Sequence, residues 1–146
     1  MDSQTCVIIG ASHAGVNLAF NLRNAGWVGK ILLFDADPEL PYHRPPLSKA
    51  YLFGEGNLEG NHLKSADSYE QQNIKLRLGT CVSAINPASN TIMLEDGQTY
   101  GYDKLVLATG ARPLIPPIIG IDQVNNLYPL RTAKDVTDIR QSLGAA

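Results

Sequence analysis

Six residues near the N-terminus, Gly10-Ala11-Ser12-His13-Ala14-Gly15, have the spacing of a turn that brings peptide backbone against a pyrophosphate. In the usual pattern, G-x-G-x-x-G, the first glycine makes a tight turn and the second admits the phosphate. The third lets a helix pack closely on a strand. Here Gly10 and Gly15 hold the outer positions and Ser12 stands in the middle one. Serine is the smallest substitute with a hydroxyl, which can donate to a phosphate oxygen, and a helix starting here would add free N–H groups and partial positive charge. Two glycines alone fit a ligand-free turn equally well. An acid about 20–25 residues further on favours the nucleotide, because a carboxylate there accepts hydrogen bonds from ribose hydroxyls. Asp35 and Asp37 both lie in that window, Asp35 being better placed by strand geometry, and either is also an ordinary solvated turn residue.

A second cluster, Tyr42-His43-Arg44-Pro45-Pro46-Leu47-Ser48-Lys49, sets basic side chains in a proline-stiffened loop, a preorganised contact for an anion or an electron-rich ring. Thiol and metal chemistry have little to work with. The two cysteines, Cys6 and Cys81, are far apart and the three histidines are scattered, so neither a disulfide framework nor a four-ligand zinc set is expected.

The elements that must position these residues follow from apolar spacing. Cys6–Ile9 ends at Gly10 and predicts a strand buried on both faces. Val16, Ala19, Phe20 and Leu22 lie near helical spacing over 14–25, with Asn24-Ala25-Gly26 as the stop and Gly26 left-handed. Lys30–Phe34 is a second strand, completing a βαβ unit with a right-handed crossover. Pro45-Pro46 excludes a helix at that point, and a short helix is expected from about Ser48 to Leu52. Residues 54–62 read as a loop, 66–73 as a surface helix and 74–78 as a strand. Residues 81–85, 91–94 and 99–102 read as a small antiparallel meander, joined by turns at Asn86–Asn90 and Glu95-Asp96-Gly97. Lys104–Ala108 is another buried strand, Pro113, Pro116 and Pro117 mark an extended linker, and residues 132–143 form a last helix with Thr132 as N-cap and Asp135 three residues on. The fold class expected is α/β, a Rossmann-like parallel sheet with a small antiparallel meander.

Composition narrows the function class. The chain has 146 residues, net charge −2 and 18% charged side chains, without a basic stripe, so nucleic acid is a poor partner. No apolar run approaches the roughly 18 residues that span a bilayer and no signal pattern opens the chain, so no membrane partner and a cytoplasmic location are expected.

The blocks GASHAG, PYHRPPLSKAYL and LVLATGARP, followed by LRT, occur in that order along essentially the whole chain. Together they resemble the FAD-dependent ferredoxin, rubredoxin and putidaredoxin reductases, a branch of the glutathione-reductase-like flavoproteins with two dinucleotide sites. The resemblance implies that Gly10, Ser12, Ala14 and Gly15 hold the FAD pyrophosphate, with His13 pointing along the cofactor cleft. It puts Arg44 beside the adenosine or pyrophosphate portion and Pro45 near the flavin ring. Lys49 falls close to the reactive flavin edge, where a cation stabilises the anionic reduced ring and counts as catalytic. It further implies backbone contact of Val82 with adenine, a second close approach at Ala108-Thr109-Gly110 flanked by Arg112, and a contact from Arg131. Relatives usually have an acid where this chain has Ala36, so the ribose contact falls to Asp35 or Asp37. No metal ligand is implied.

The same resemblance implies incompleteness. Family members continue into a second nucleotide-binding domain for NAD(P)H, return to the FAD domain through a strand with a Gly-Asp pair, and end in an interface domain. The expected division is therefore an FAD-binding segment over 1–112, with its meander near 81–102, then a linker and helix over 113–146 leading to an absent NAD(P)H domain. The implied whole protein passes electrons from a nicotinamide through flavin to a ferredoxin- or rubredoxin-type acceptor. These 146 residues alone are expected to turn over NADH poorly, and to self-associate through an exposed sheet edge. The alternatives are a non-catalytic FAD- or NAD-binding module and a structural fragment.

Overall fold

The computed structural model describes residues 4–144, which divide into two compact units. The first comprises residues 4–42 and His62–Gly110, and the second His43–Asn61 with residues 111–144.

The first unit is built on a four-stranded parallel sheet in the order β3-β2-β1-β7. Its strands are β1 (Thr5–Ile9), β2 (Lys30–Phe34), β3 (Ile74–Arg77) and β7 (Lys104–Leu107). β1 pairs with both β2 and β7, with Ile8 opposite Leu33 on one side and Val106 on the other. A central parallel strand is covered on both faces, which is why β1 reads as an unbroken apolar run. Alternation along the strands then assigns the faces. Cys6, Ile8, Ile31, Leu33 and Ile74 face one way, packing with Val16 and Ala19 of α1 (His13–Asn24) and Tyr69 of α2 (Ala66–Gln71). Val7 and Phe34 face the other way and pack with Ile92 and Leu94 of the meander. That meander is the antiparallel sheet β4 (Val82–Asn86), β5 (Thr91–Leu94) and β6 (Thr99–Gly101), and Tyr100 meets Phe34 edge-on at 5.2 Å between ring centres.

α1 stops at Asn24, and Gly26 takes the left-handed φ of +87° that the sequence demands. The crossover is fixed by Arg23, whose guanidinium donates to the carbonyls of Gln72, Trp27, Gly29 and Asn73. Burial raises the Cys6 thiol above its ordinary pKa and pushes the Tyr69 phenol up to about 12, so both are neutral packing groups. β7 pairs only with β1 among the described residues, leaving it at the sheet edge with Leu107 60% exposed.

The second unit begins differently from expectation. A 3-10 turn starts at Pro45 itself and runs to Ser48, followed by further turns through Gly54. The two prolines occupy the first turn, where an N–H would have no partner and a φ near −65° is already correct. The short helix expected from about Ser48 is thus replaced by a tighter coil that starts earlier. A further one-turn 3-10 segment, Glu59–Asn61, interrupts the expected loop. Residues 111–131 are mostly exposed coil with one 3-10 turn at Ile121–Gln123, and α3 (Ala133–Gly144) closes the unit. Its start carries the expected cap: the Asp135 carboxylate accepts from the Arg131 and Thr132 amides, and the Asp135 amide donates to Thr132 Oγ1. Leu47, Ala133 and Val136 are the unit's buried apolar residues.

Among the described residues, no helix is long and apolar enough to cross a membrane, and no group of three or more His, Cys, Asp or Glu could hold a metal ion.

Candidate functional site

The end of β1 turns sharply because Gly10 adopts φ +103° and donates its N–H to the Phe34 carbonyl at 2.8 Å. A Cβ at Gly10 would lie 2.3 Å from the Ala108 carbonyl oxygen, and one at Gly15 would lie 1.9 Å from the Gly10 carbonyl oxygen. Both glycines are therefore required by backbone-to-backbone contact, which no shift of a side chain could relieve. Ala108 is drawn in from the other side by its own N–H, which donates to Ile9 O at 2.8 Å. The chain then leaves through exposed Thr109 and Gly110, the latter with φ +68°.

Ser12 sits at the N-cap of α1 in extended conformation, and its hydroxyl makes no capping bond. The first amide to close a helical hydrogen bond is that of Val16, to Ser12 O at 3.0 Å. Ala14 and Gly15 precede it, so their N–H groups have no carbonyl within the helix to bond. The turn thus presents a hydroxyl, backbone donors and the positive end of a twelve-residue helix. His13 and Ala14 are exposed in the first turn of α1.

The acids that follow β2 have separate attachments. Asp35 accepts the Ala11 amide on Oδ2 and the Asp37 amide on Oδ1, joining the end of β2 to the glycine turn. Asp37 accepts the Glu39 amide on Oδ1 and the Tyr42 hydroxyl on Oδ2, at 3.1 and 2.8 Å. The Asp35 and Asp37 carbonyls take the amides of Thr80 and Gly79, so the start of the meander is tied to the same strand end. Val82, half-buried, opens β4 opposite Leu94 and beside a register shift. The first unit therefore gathers Gly10–Gly15, Asp35, Asp37 and Ala108–Gly110 around the end of β1, with Val82 two residues beyond the anchored Thr80.

The remaining expected residues belong to the second unit. Arg44 is half-buried just before the 3-10 turn, and its Nη1 is buried without a hydrogen-bond partner among the described residues. Pro45 is exposed at the first position of that turn, and exposed Lys49 closes it with its amide on Pro46 O at 3.0 Å. Arg131 is half-buried, its amide held by Asp135, and Arg112 is exposed. A buried guanidinium nitrogen without an acceptor is costly, and an anionic or carbonyl-bearing ligand is the usual remedy.

Three contributors escape a reading of the sequence. Arg23 had a faint signal as a basic residue in the last turn of its helix. The Tyr42–Asp37 bond had none beyond proximity in sequence. Arg140, whose Nε donates to Leu52 O at 3.0 Å, acts across 88 positions, and no local pattern announces it.

Comparison with known proteins fits this geometry. The family model for pyridine nucleotide-disulphide oxidoreductases matches residues 4–145. Putidaredoxin reductase from Pseudomonas putida is 45% identical over 139 residues, covering 94% of this chain and 33% of that protein. A rubredoxin-NAD(+) reductase from Pseudomonas putida is 38% identical over 137 residues, covering 94% of this chain and 35% of its own length. Among solved structures, the covalent putidaredoxin reductase–putidaredoxin complex matches with a TM-score of 0.87 at 43% identity, over 98% of this chain and 35% of that one. A ferredoxin reductase from Rhodopseudomonas palustris matches with a TM-score of 0.88 at 33% identity, over 98% of this chain and 35% of its own. The chain spans about a third of the length of the curated relatives it matches. With the family model matching nearly every residue and the glycine turn, crossover and meander all in place, the chain belongs to the pyridine nucleotide-disulphide oxidoreductase family.

Proposed function

We propose that this chain is the FAD-binding part of an NAD(P)H-dependent reductase that feeds electrons to an iron–sulfur or rubredoxin-type protein in the cytoplasm. The observation that carries the reading is the β1–α1 turn. Its two glycines are closed against backbone, and the Ala14 and Gly15 amides, which have no carbonyl within the helix to bond, form with the Ser12 hydroxyl a donor rim suited to a pyrophosphate. FAD, when bound, accepts a hydride from a nicotinamide and releases its electrons one at a time. The chain's own contribution is binding, orientation and charge.

In this reading Gly10, Ser12, His13, Ala14 and Gly15 hold the pyrophosphate side, and Ala108, Thr109 and Gly110 supply the second close approach. The Val82 backbone meets adenine. Asp37 is the ribose acceptor: one of its two partners is a hydroxyl that can rotate away, whereas Asp35 is held on both oxygens by backbone amides. In the second unit, Arg44 brings its unpartnered Nη1 to the adenosine or pyrophosphate portion, Pro45 packs near the flavin, and Arg131 adds a contact. Lys49 provides the cation that favours the reduced ring. The functional division proposed is an FAD-binding segment through residue 112 and a linker with α3 beyond it, with NAD(P)H bound by a domain outside these residues.

Reconstitution with FAD tests the proposal. The purified chain should co-elute with flavin from a sizing column, and Arg44→Met should weaken FAD binding about tenfold or more, the value of one or two charged hydrogen bonds, with unchanged circular dichroism. A folded chain that retains no flavin after reconstitution, or an Arg44→Met variant that binds FAD as tightly as the parent, overturns it.

A further inference from the structure

In the second unit, the segment that follows Lys49 is a run of tight turns. The amides of Tyr51, Phe53, Gly54 and Glu55 donate to the carbonyls of Pro46, Lys49, Tyr51 and Ala50 respectively. The Leu52 carbonyl has no backbone donor in this run. Its donor among the described residues is Nε of Arg140, at 3.0 Å, reaching over from α3. The same guanidinium lies over the Tyr51 ring, 4.9 Å from its centre. Two successive residues, one by its ring and one by its carbonyl, are therefore gripped by one planar side chain.

The grip is built into α3. Ala133, Val136 and Arg140 fall at i, i+3 and i+7 and share a face, and the first two are buried. The start of that face is fixed by the Asp135 cap. Arg140 Nη2 is buried and has no hydrogen-bond partner among the described residues, so the guanidinium is not extended into water, and what holds it is the Leu52 carbonyl and the Tyr51 ring. Lysine could not reproduce this arrangement, since it has neither the planar face nor the fixed fork of donors.

We propose that Arg140 is a positioning residue: it caps the turn run after Lys49 from α3 and so sets where the Lys49 ammonium is presented. This rests on the reading that Lys49 serves a bound flavin. Arg140 itself is assigned no contact with the cofactor.

Two arms of one experiment separate the claims. In the first, amide hydrogen exchange is followed in the parent chain, Arg140→Lys and Arg140→Met. Exchange at Tyr51, Phe53 and Glu55 should accelerate about tenfold in both variants, the worth of one charge-assisted hydrogen bond, while the Ile8 and Leu33 amides keep the parent rate. Unchanged exchange at residues 51–55, or an equal rise throughout the chain, overturns the proposal. In the second arm, the flavin midpoint potential is measured in the FAD-loaded protein. Arg140→Met should shift it in the same direction as Lys49→Gln, and the double variant should shift it no further than Lys49→Gln alone. A normal potential in Arg140→Met beside a shifted one in Lys49→Gln reduces Arg140 to a structural residue and overturns the proposal. Failure of the chain to take up FAD, or a Lys49→Gln variant with the parent potential, would instead sink the functional reading of Lys49, and the exchange arm would still decide whether Arg140 orders the segment.

Discussion

The two units of this chain are held together by different physics. The first buries aliphatic side chains on both faces of a parallel sheet, with Val7, Ile8, Val16, Ile31, Leu33 and Phe34 all inaccessible to solvent. Its polar bonds close turns around a core that already exists. The second buries three apolar side chains, Leu47, Ala133 and Val136, and exposes others, with Leu114 at 87% and Ile119 at 103% of full accessibility. What order it has rests on a few hydrogen bonds: two local sets, the proline-started 3-10 turn and the capping box, and the long-range Arg140 bond. The contrast bears on the proposed function, because the first unit carries the glycine turn proposed for the pyrophosphate and the second carries Arg44 and Lys49. That proposal thus assigns rigid backbone recognition and adjustable side-chain charge to units with unequal buried cores.

The largest effect should come from Gly15→Ala. The added Cβ would lie 1.9 Å from a backbone oxygen, so the turn and the start of α1 must both move. A loss of about 3–4 kcal/mol in the unfolding free energy, read by urea denaturation, is expected, together with loss of retained flavin. Near-parent stability would mean that the turn is pliable and that the first unit is less rigid than its core suggests.

A matched pair sharpens the comparison next. Phe34→Ala should cost about 3–5 kcal/mol at most, and less where the core can collapse, whereas Val136→Ala should cost about 1–2 kcal/mol. Followed by amide exchange, Phe34→Ala should raise exchange throughout the first unit, and Val136→Ala should act on residues 133–144. Equal and global responses to both would erase the distinction between the units.

The smallest effect concerns acid. Burial tends to raise the Asp135 pKa, but the amides of Thr132 and Arg131, the Thr132 hydroxyl and nearby Lys134 outweigh it and bring it below the ordinary aspartate value. A carboxyl with a lowered folded pKa stabilises above its unfolded value and loses that contribution as pH falls from about there through the folded pKa. The start of α3 should therefore open below about pH 4 before the sheet responds, as seen in exchange at residues 133–137. Asp135→Asn should cost about 1 kcal/mol at neutral pH and abolish this acid step. Retention of the step in that variant would assign it to another group.

Much of the first unit was legible in residue order alone. The strand at Lys30–Phe34 and the meander strand at Thr91–Leu94 fall where apolar spacing and turn residues put them, because burial on one or both faces leaves a direct periodic trace. The cap at Thr132 and Asp135 was equally readable, since both partners lie within one helical turn. The coil at 45–54 was less so: Pro45 and Pro46 exclude an α-helical interior, yet the same fixed φ starts a 3-10 turn, and sequence does not choose between stopping and starting. Asp35 and Asp37 could not be told apart by spacing, since their difference lies in which amides and hydroxyls reach them.

The glycines at 10 and 15, the alternation of β1 and β2 and the capping box were thus determined by sequence, because each works through neighbours a few residues away or through a repeating face. Tertiary structure alone decided that Gly10 meets the Ala108 carbonyl, that Asp35 joins β2 to the glycine turn, and that Arg140 closes on Leu52. Those contacts join residues far apart in the chain, and their geometry exists only after packing has fixed the backbone. The residues proposed to bind by backbone shape therefore announce themselves through local spacing, whereas the partners that hold a charged side chain in place exist only in the fold.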